Sequence, residues 1–122
     1  MGRAFDFSNK VKDEAYFRQR GLCAHCGGSL RYAIEHAHHV VPNQAGVAGN
    51  PGHQWLRTAV NCVYLCDGCH EEVHGNGNYR NGGVMFVEHF KYSHGKDHAG
   101  HERWVSHMHK IVLSVWPAFV PE

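Results

Sequence analysis

The sequence predicts an α+β fold gathered around a metal-stapled centre. Three observations carry this: two Cys-x-x-Cys pairs, short β-prone runs set between segments of helical periodicity, and thirteen histidines in 122 residues, far more than packing needs. A chain of this length suits one compact domain with one site, so residues 1–122 are expected to form a single unit.

The first expected element is a helix over residues 8–20. Val11, Ala15 and Tyr16 recur at helical spacing, Ser8 offers a capping oxygen, and Gly21 supplies a stop. After Gly27-Gly28, residues 29–34 alternate as a strand should and lead toward His36, His38 and His39. Residues 42–52 hold too many Pro, Gly and Asn for a regular element and read as a loop. Residues 61–65 form a β-prone run ending at the second cysteine pair, where Asp67 can cap a helix that Gly75 ends. Residues 75–83, rich in Gly and Asn, read as an exposed loop carrying Arg80. A further strand is expected over 84–90, then a helix over 101–116 with Trp104, Met108, Ile111 and Val115 on one stripe and Pro117 at its end.

Twelve Lys/Arg against eleven Asp/Glu leave a net charge of +1, so composition alone does not indicate a polyanionic ligand. Any such ligand would be held by a local cluster, with Arg18, Arg20, Arg31, Arg57 and Arg80 as candidates, and by a bound cation. No run approaches the roughly eighteen apolar residues of a membrane span, and the first residues carry neither a secretory h-region nor a myristoylation pattern. A soluble chain with no membrane partner is expected.

Five cysteines fall as two pairs and one left over. Each pair can present two thiolates to one ion from a tight turn, and two pairs complete a tetrahedron, so Cys23, Cys26, Cys66 and Cys69 are expected to hold a structural zinc. Disulfides are the alternative. The odd count, with Cys62 alternating with Val63 and Leu65 as a strand residue, favours zinc over a secreted framework and over a redox role.

His70 and His74 stand at i and i+4 on the expected helix, the spacing at which two imidazoles reach one ion. His38 and His39 would point to opposite faces of a strand, so one alone could share that ion and the other is open to a different role. His25 and His36 lack such support; either could stand behind the metal ligands or face DNA, with a plain surface histidine the favoured reading, and Glu35, Glu71 and Glu72 read as solvated. The later histidines invite a second metal site around His94, His98 and His101, against the plainer reading of a loop and a core-packed helix.

Taken in order, Cys23-Ala-His-Cys26, His38-His39-Val-Val-Pro42 and Asn61-Cys-Val-Tyr-Leu-Cys-Asp-Gly-Cys-His70, with His74 closing the run, resemble the His-Asn-His (HNH) nuclease superfamily. The match spans about residues 20–80, leaving about 84–122 as an extension. The resemblance implies a ββα-metal core stapled by the cysteines, with a flanking N-terminal helix and a C-terminal strand and helix. It implies that His39 is the general base, that Asn61 holds the loop that orients it, and that His38, His70 and His74 bind one catalytic divalent cation. The His-x-x-x-His ligand pair is shared with colicin-type nucleases, and the cysteine staple with other branches. Imidazole suits a general base because it is largely unprotonated at neutral pH. An all-imidazole set favours Zn²⁺ or Ni²⁺ over Mg²⁺, with Mn²⁺ also admitted.

By the same resemblance the partner is DNA, cut with little sequence preference, with Arg80 as a candidate phosphate contact. The colicin-like ligands suggest a toxin domain of a secreted bacterial effector that acts in a target cytoplasm and meets an immunity protein, while restriction or phage roles fit the same residues. A monomer or weak dimer is expected. The rival from another class is a non-catalytic zinc-dependent module that binds nucleic acid or protein.

Overall fold

The computed structural model describes residues 6–30, 36–42, 45–75 and 87–119. Among them the order is α1 (Asn9–Arg18), β1 (His36–His39), β2 (Cys62–Leu65), α2 (Asp67–Gly75) and α3 (His98–Ile111), joined through short 3-10 turns. Helices and a small antiparallel sheet share one chain, in keeping with the expected α+β class.

α1 starts where the sequence predicts. The Ser8 hydroxyl accepts the Val11 N–H at 3.2 Å, satisfying a donor that has no partner inside the helix. It stops because Arg20 and Gly21 take left-handed backbone angles, φ 56° and 71°. A helix cannot continue through that turn.

β1 and β2 pair antiparallel with His36 opposite Leu65, His38 opposite Val63 and His39 opposite Cys62. The ladder runs one step further, since Val40 N–H donates to the Asn61 carbonyl at 3.0 Å. Two strands of four residues bury too little to hold themselves together. The other edge of β2 is therefore covered by polar groups from elsewhere. Gln19, fully buried, donates from Nε2 to the carbonyls of Leu22 (2.8 Å) and Tyr64 (3.0 Å) and accepts the Tyr64 N–H at Oε1 (2.8 Å). Ala24 N–H also donates to the Tyr64 carbonyl, at 3.0 Å.

Arg18, a candidate phosphate contact on sequence grounds, is instead an internal fastener. Its guanidinium donates to three carbonyls: Nε to Ser93 (2.7 Å), Nη1 to Ala59 (2.6 Å) and Nη2 to Cys62 (2.6 Å). It also lies 5.7 Å from the ring centre of Trp104. Burial draws its pKa down to about 10, still charged at neutral pH. The fork shape of arginine is what lets one side chain join α1, β2 and the approach to α3.

α3 begins three residues before the predicted start, because Asp97 accepts the Gly100 N–H at 3.0 Å and caps it. Gly100, Trp104 and Met108 are its buried stripe, and Trp104 Nε1 donates to the Val60 carbonyl at 2.7 Å. The helix gives way to a 3-10 turn at Val112–Ser114 and the chain turns at Pro117. The strand expected over 84–90 does not form where the structure describes it. Val87–His89 is a 3-10 turn closed by Phe90 N–H on the Val87 carbonyl (3.1 Å). That turn sends Val87 and Phe90, three apart, into the core together, whereas a strand would send them to opposite faces. Residues 31–35, 43–44 and 76–86 lie outside the described ones, and with them most of the strand expected over 29–34, Glu35, the loop carrying Arg80, and Arg31.

Within the stretch read as a loop, Asn50 caps an unforeseen 3-10 turn, Pro51–Arg57, accepting the Gly52 N–H at 2.8 Å. His53 on this turn is buried, with Nδ1 accepting the Val47 N–H (2.9 Å) and Nε2 facing the Ser114 carbonyl (2.9 Å). The two contacts assign the neutral tautomer with its proton on Nε2. One buried apolar cluster joins β2, α2 and α3 to the turns between them, including Leu30, Val41, Leu56, Val63, Leu65, Val73, Phe90, Met108 and Val112.

Replacing Arg18 with Met would keep the apolar stem and strand three carbonyls. We expect a loss of about 3–5 kcal/mol. The check is a urea titration in which the midpoint falls and the slope holds. Arg18→Lys should recover less than half, since an ammonium cannot span the three acceptors.

Candidate metal centre and histidine site

The first cysteine turn is shaped by its backbone. Cys23 N–H donates to the Gly28 carbonyl (2.7 Å), and Gly27 N–H to the Cys23 carbonyl (2.9 Å), with Gly27 at φ 75°. A Cβ on Gly27 would lie 2.7 Å from the Tyr92 ring, so glycine is required there for space as well as conformation. The second turn sits where β2 passes into α2, with His70 N–H on the Cys66 carbonyl at 2.9 Å.

The four sulfurs of Cys23, Cys26, Cys66 and Cys69 lie within 4.8 Å of one another. Cys26 Sγ and Cys66 Sγ are 3.9 Å apart. A tetrahedron with Zn–S bonds of about 2.3 Å has an edge of about 3.8 Å, so the donor set is positioned for a metal ion and is consistent with zinc. The sulfurs also receive donors: Gly28 N–H to Cys26 and Cys66 N–H to Cys23, both at 3.4 Å. His25 Nδ1 lies 3.3 Å from Cys69 Sγ, so His25 belongs to the sulfur cluster and is not the plain surface residue its sequence context implies.

Burial opposes ionisation of Cys23, yet backbone N–H groups of Cys26, Cys66 and His25 outweigh it and bring the thiol below its ordinary range. Burial raises Cys26, and burial followed by neighbouring thiols raises Cys69. A divalent cation relieves this crowding, because each sulfur then meets positive charge in place of a second thiolate. Cys62 takes no part. It is fully buried beside the Arg18 contact, and burial pushes its thiol up to about 12.

The histidines divide across β1. His38 faces inward at 5% exposure, with its ring edge-on to that of His70 at 6.1 Å between centres and 6.1 Å from Phe90. His39, the next residue, is half-buried, and its ring lies flat against Phe7 at 3.8 Å and 13°. The sequence-predicted ligands His38 and His70 thus have their rings 6.1 Å apart, and the predicted base His39 stacks on Phe7. His74 lies one turn further along α2; its side chain, like that of His36, is outside the described residues.

Asn61 is fully buried directly before β2. Its Oδ1 accepts the Val41 N–H (2.8 Å), and its Nδ2 donates to the carbonyls of Val41 (3.0 Å) and Leu56 (2.9 Å). The amide therefore grips both polar groups of a residue two positions beyond His39. An asparagine is needed, since a carboxylate cannot donate and a hydroxyl cannot reach all three.

Around His94 and His101 the second metal site does not form. Both Nδ1 atoms face the buried Ser93 hydroxyl, at 3.0 and 2.9 Å. One hydroxyl proton serves only one of them, so the other ring donates to the serine oxygen. His98 is exposed, and Asp97 is spent on the α3 cap. His109 pairs with Glu88 at 2.5 Å, and His89 and His107 are exposed. Among the described residues the four cysteines are the one group of three or more ligating side chains that converges. Of the candidate arginines, Arg20 and Arg57 are exposed.

Phe7, His25, Gln19 and His53 were not foreseen. His25 had a signal in its place between two cysteines, and Phe7 in being an aromatic directly before a helix cap. Gln19 and His53 act through long-range partners that no local pattern announces.

No family model matches the chain. A stretch of 67 residues, 50% of this chain, is 31% identical to the type IV methyl-directed restriction enzyme EcoKMcrA of Escherichia coli (strain K12). The match takes in 21% of that relative's length.

Two outcomes test this region. Metal analysis of purified protein should find one tightly held zinc, and Cys23→Ser should lose it together with the helical circular dichroism; a folded, zinc-free variant would overturn the staple. Burial and the Arg18 cation push the His94 pKa from 6.5 down to about 4, and burial lowers His101 as well. The unfolded chain then binds more protons than the folded one between pH 6.5 and about 4, so stability falls as pH drops through that window. His94→Asn should flatten that part of the stability curve relative to wild type, measured by urea titration at several pH values.

Proposed function

We propose that the chain is a metal-dependent nuclease of the HNH type that hydrolyses phosphodiester bonds in DNA, as one domain with a ββα-metal core. The observation that carries this is Asn61, buried and hydrogen-bonded to both polar groups of Val41, two residues past His39, on a chain that also brings the rings of His38 and His70 within 6.1 Å. A core asparagine that grips a loop in this way adds rigidity where a reacting group must be aimed. The partial similarity to a restriction enzyme points the same way.

In this function His39 takes a proton from a water aligned with the phosphorus. The water oxygen bonds to phosphorus, and the 3′-oxygen leaves with the electrons of the broken P–O bond. A divalent cation, held by His38, His70 and His74, would neutralise the charge that builds on the phosphate and the departing oxygen. The nearness of the His38 and His70 rings, 6.1 Å between centres, supports this reading, and imidazoles suit Zn²⁺, Ni²⁺ or Mn²⁺ better than Mg²⁺. The cysteine quartet sets the geometry and takes no part in the chemistry. Arg80 is a further candidate for the phosphate.

With a net charge of +1 and Arg18 internally committed, contacts to the DNA backbone fall to exposed side chains such as Arg57. Affinity should be modest and strongly salt-dependent. The likeness to a restriction enzyme favours cleavage of foreign DNA as the setting over a toxin with an immunity protein. Among the described residues no helix is long and apolar enough to cross a membrane.

Plasmid cleavage with Mg²⁺, Mn²⁺, Ni²⁺ or Zn²⁺ tests the function directly. Wild type should cut with at least one ion, and His39→Ala should cut at least about a hundredfold more slowly. Equal cutting by the variant would refute His39 as the base. No cutting by either protein, with DNA binding retained, would make the chain a zinc-dependent binding module.

A further inference from the structure

We infer that Phe7 is a positioning residue for His39, holding the imidazole flat so that an in-plane nitrogen faces the substrate water. The inference rests on the nuclease function proposed above and concerns a residue that the motif does not include.

The two rings are nearly parallel, 3.8 Å between centres with 13° between planes, the closest and flattest ring contact among the described residues. A base accepts its proton along the in-plane lone pair of an imidazole nitrogen. Stacking on the ring face therefore restrains χ1 and χ2 without covering the direction of proton transfer. Backbone freedom at His39 is already removed on both sides. The residue is paired with Cys62 in the sheet, and Asn61 grips Val41 beyond it. The stack on Phe7 adds a restraint on rotation of the side chain.

Phe7 is itself anchored. It directly precedes Ser8, which caps α1 through Val11 and whose carbonyl accepts the Lys12 N–H at 3.0 Å. α1 in turn is tied to β2 by Arg18, whose Nη2 donates to the carbonyl of Cys62, the sheet partner of His39. The contacts close a ring: Phe7 on His39, His39 on Cys62, Cys62 on Arg18, and Arg18 back along α1 to Phe7. Both members of the stack are thus referenced to one strand residue. Phe7 would otherwise be an ordinary half-buried side chain at the start of a helix.

The experiment compares Phe7→Leu, Phe7→Ala and Phe7→Trp with wild type in plasmid cleavage, alongside proton and nitrogen spectra of the His39 ring. Leucine fills the volume without offering a flat face, so it separates stacking from apolar filling. We expect Phe7→Leu and Phe7→Ala to lower kcat about tenfold with KM within about twofold, and Phe7→Trp to restore kcat to within about threefold. The His39 ring protons should move downfield in the leucine variant as the ring current of Phe7 is lost, and this readout needs no cleavage. Unchanged or higher kcat in Phe7→Leu, or unmoved His39 resonances, would overturn the inference. If wild type cuts no DNA, the nuclease function fails, while the His39 spectra still decide whether Phe7 holds the ring.

Discussion

A sheet of two four-residue strands has almost no stability of its own in water, and the chain must supply from outside what such a sheet lacks. Here the supply is polar. Gln19 mimics a strand along the free edge of β2, Arg18 collects three carbonyls from three segments, and the sulfur quartet joins the far end of β2 to a turn near α1. These contacts converge on β2. The apolar core then forms around a strand already fixed in place, with Val63 and Leu65 pointing into it.

β1 is held through that fixed strand and carries two histidines of opposite facing. Its four residues contribute one buried histidine to the inner face and one half-buried histidine to the outer, and Asn61 restrains the backbone where β1 ends. Thirteen histidines would be an unruly set if each were free to bind ions. Several are instead committed to hydrogen bonds: His53 between Val47 and Ser114, His94 and His101 to Ser93, and His109 to Glu88. A ring whose nitrogens are engaged in this way is a poor metal ligand, which explains why the sequence shows more candidate sites than the fold makes.

Short-range rules made α1, β2, α2 and the cysteine quartet legible, because a serine cap, a β-prone run, an acidic residue in the first helical turn (Asp67, which is the first residue of α2 and not the cap expected) and Cys-x-x-Cys spacing each act within a few residues. Of the site residues named from the sequence, His38 and His70 have their rings 6.1 Å apart, and Asn61 is buried and bonded to both polar groups of Val41. Legibility ended where a choice depended on distant groups. Residues 84–90 have the composition of a strand, yet Val87 and Phe90 must both reach the core, and only a tight turn allows that. Arg18 looked like any exposed helix cation, since nothing local reveals that the carbonyls of Ala59, Cys62 and Ser93 will gather around it. Pro51 and Gly52 suggested only a loop, and the cap from Asn50 made a turn of it.

The two halves of the sulfur cluster also leave the ribosome at different times. Cys26 and Cys66 are 40 residues apart, and at ordinary rates of translation the first pair emerges on the order of several seconds before its partners. During that interval Cys23 and Cys26 form half a ligand set. A thiolate that waits is open to oxidation and to loosely held ions. His25 sits between those two cysteines in the chain, so the nascent pair already carries an imidazole as a third donor. Until β2 is made, the first pair has no second pair with which to complete the tetrahedron.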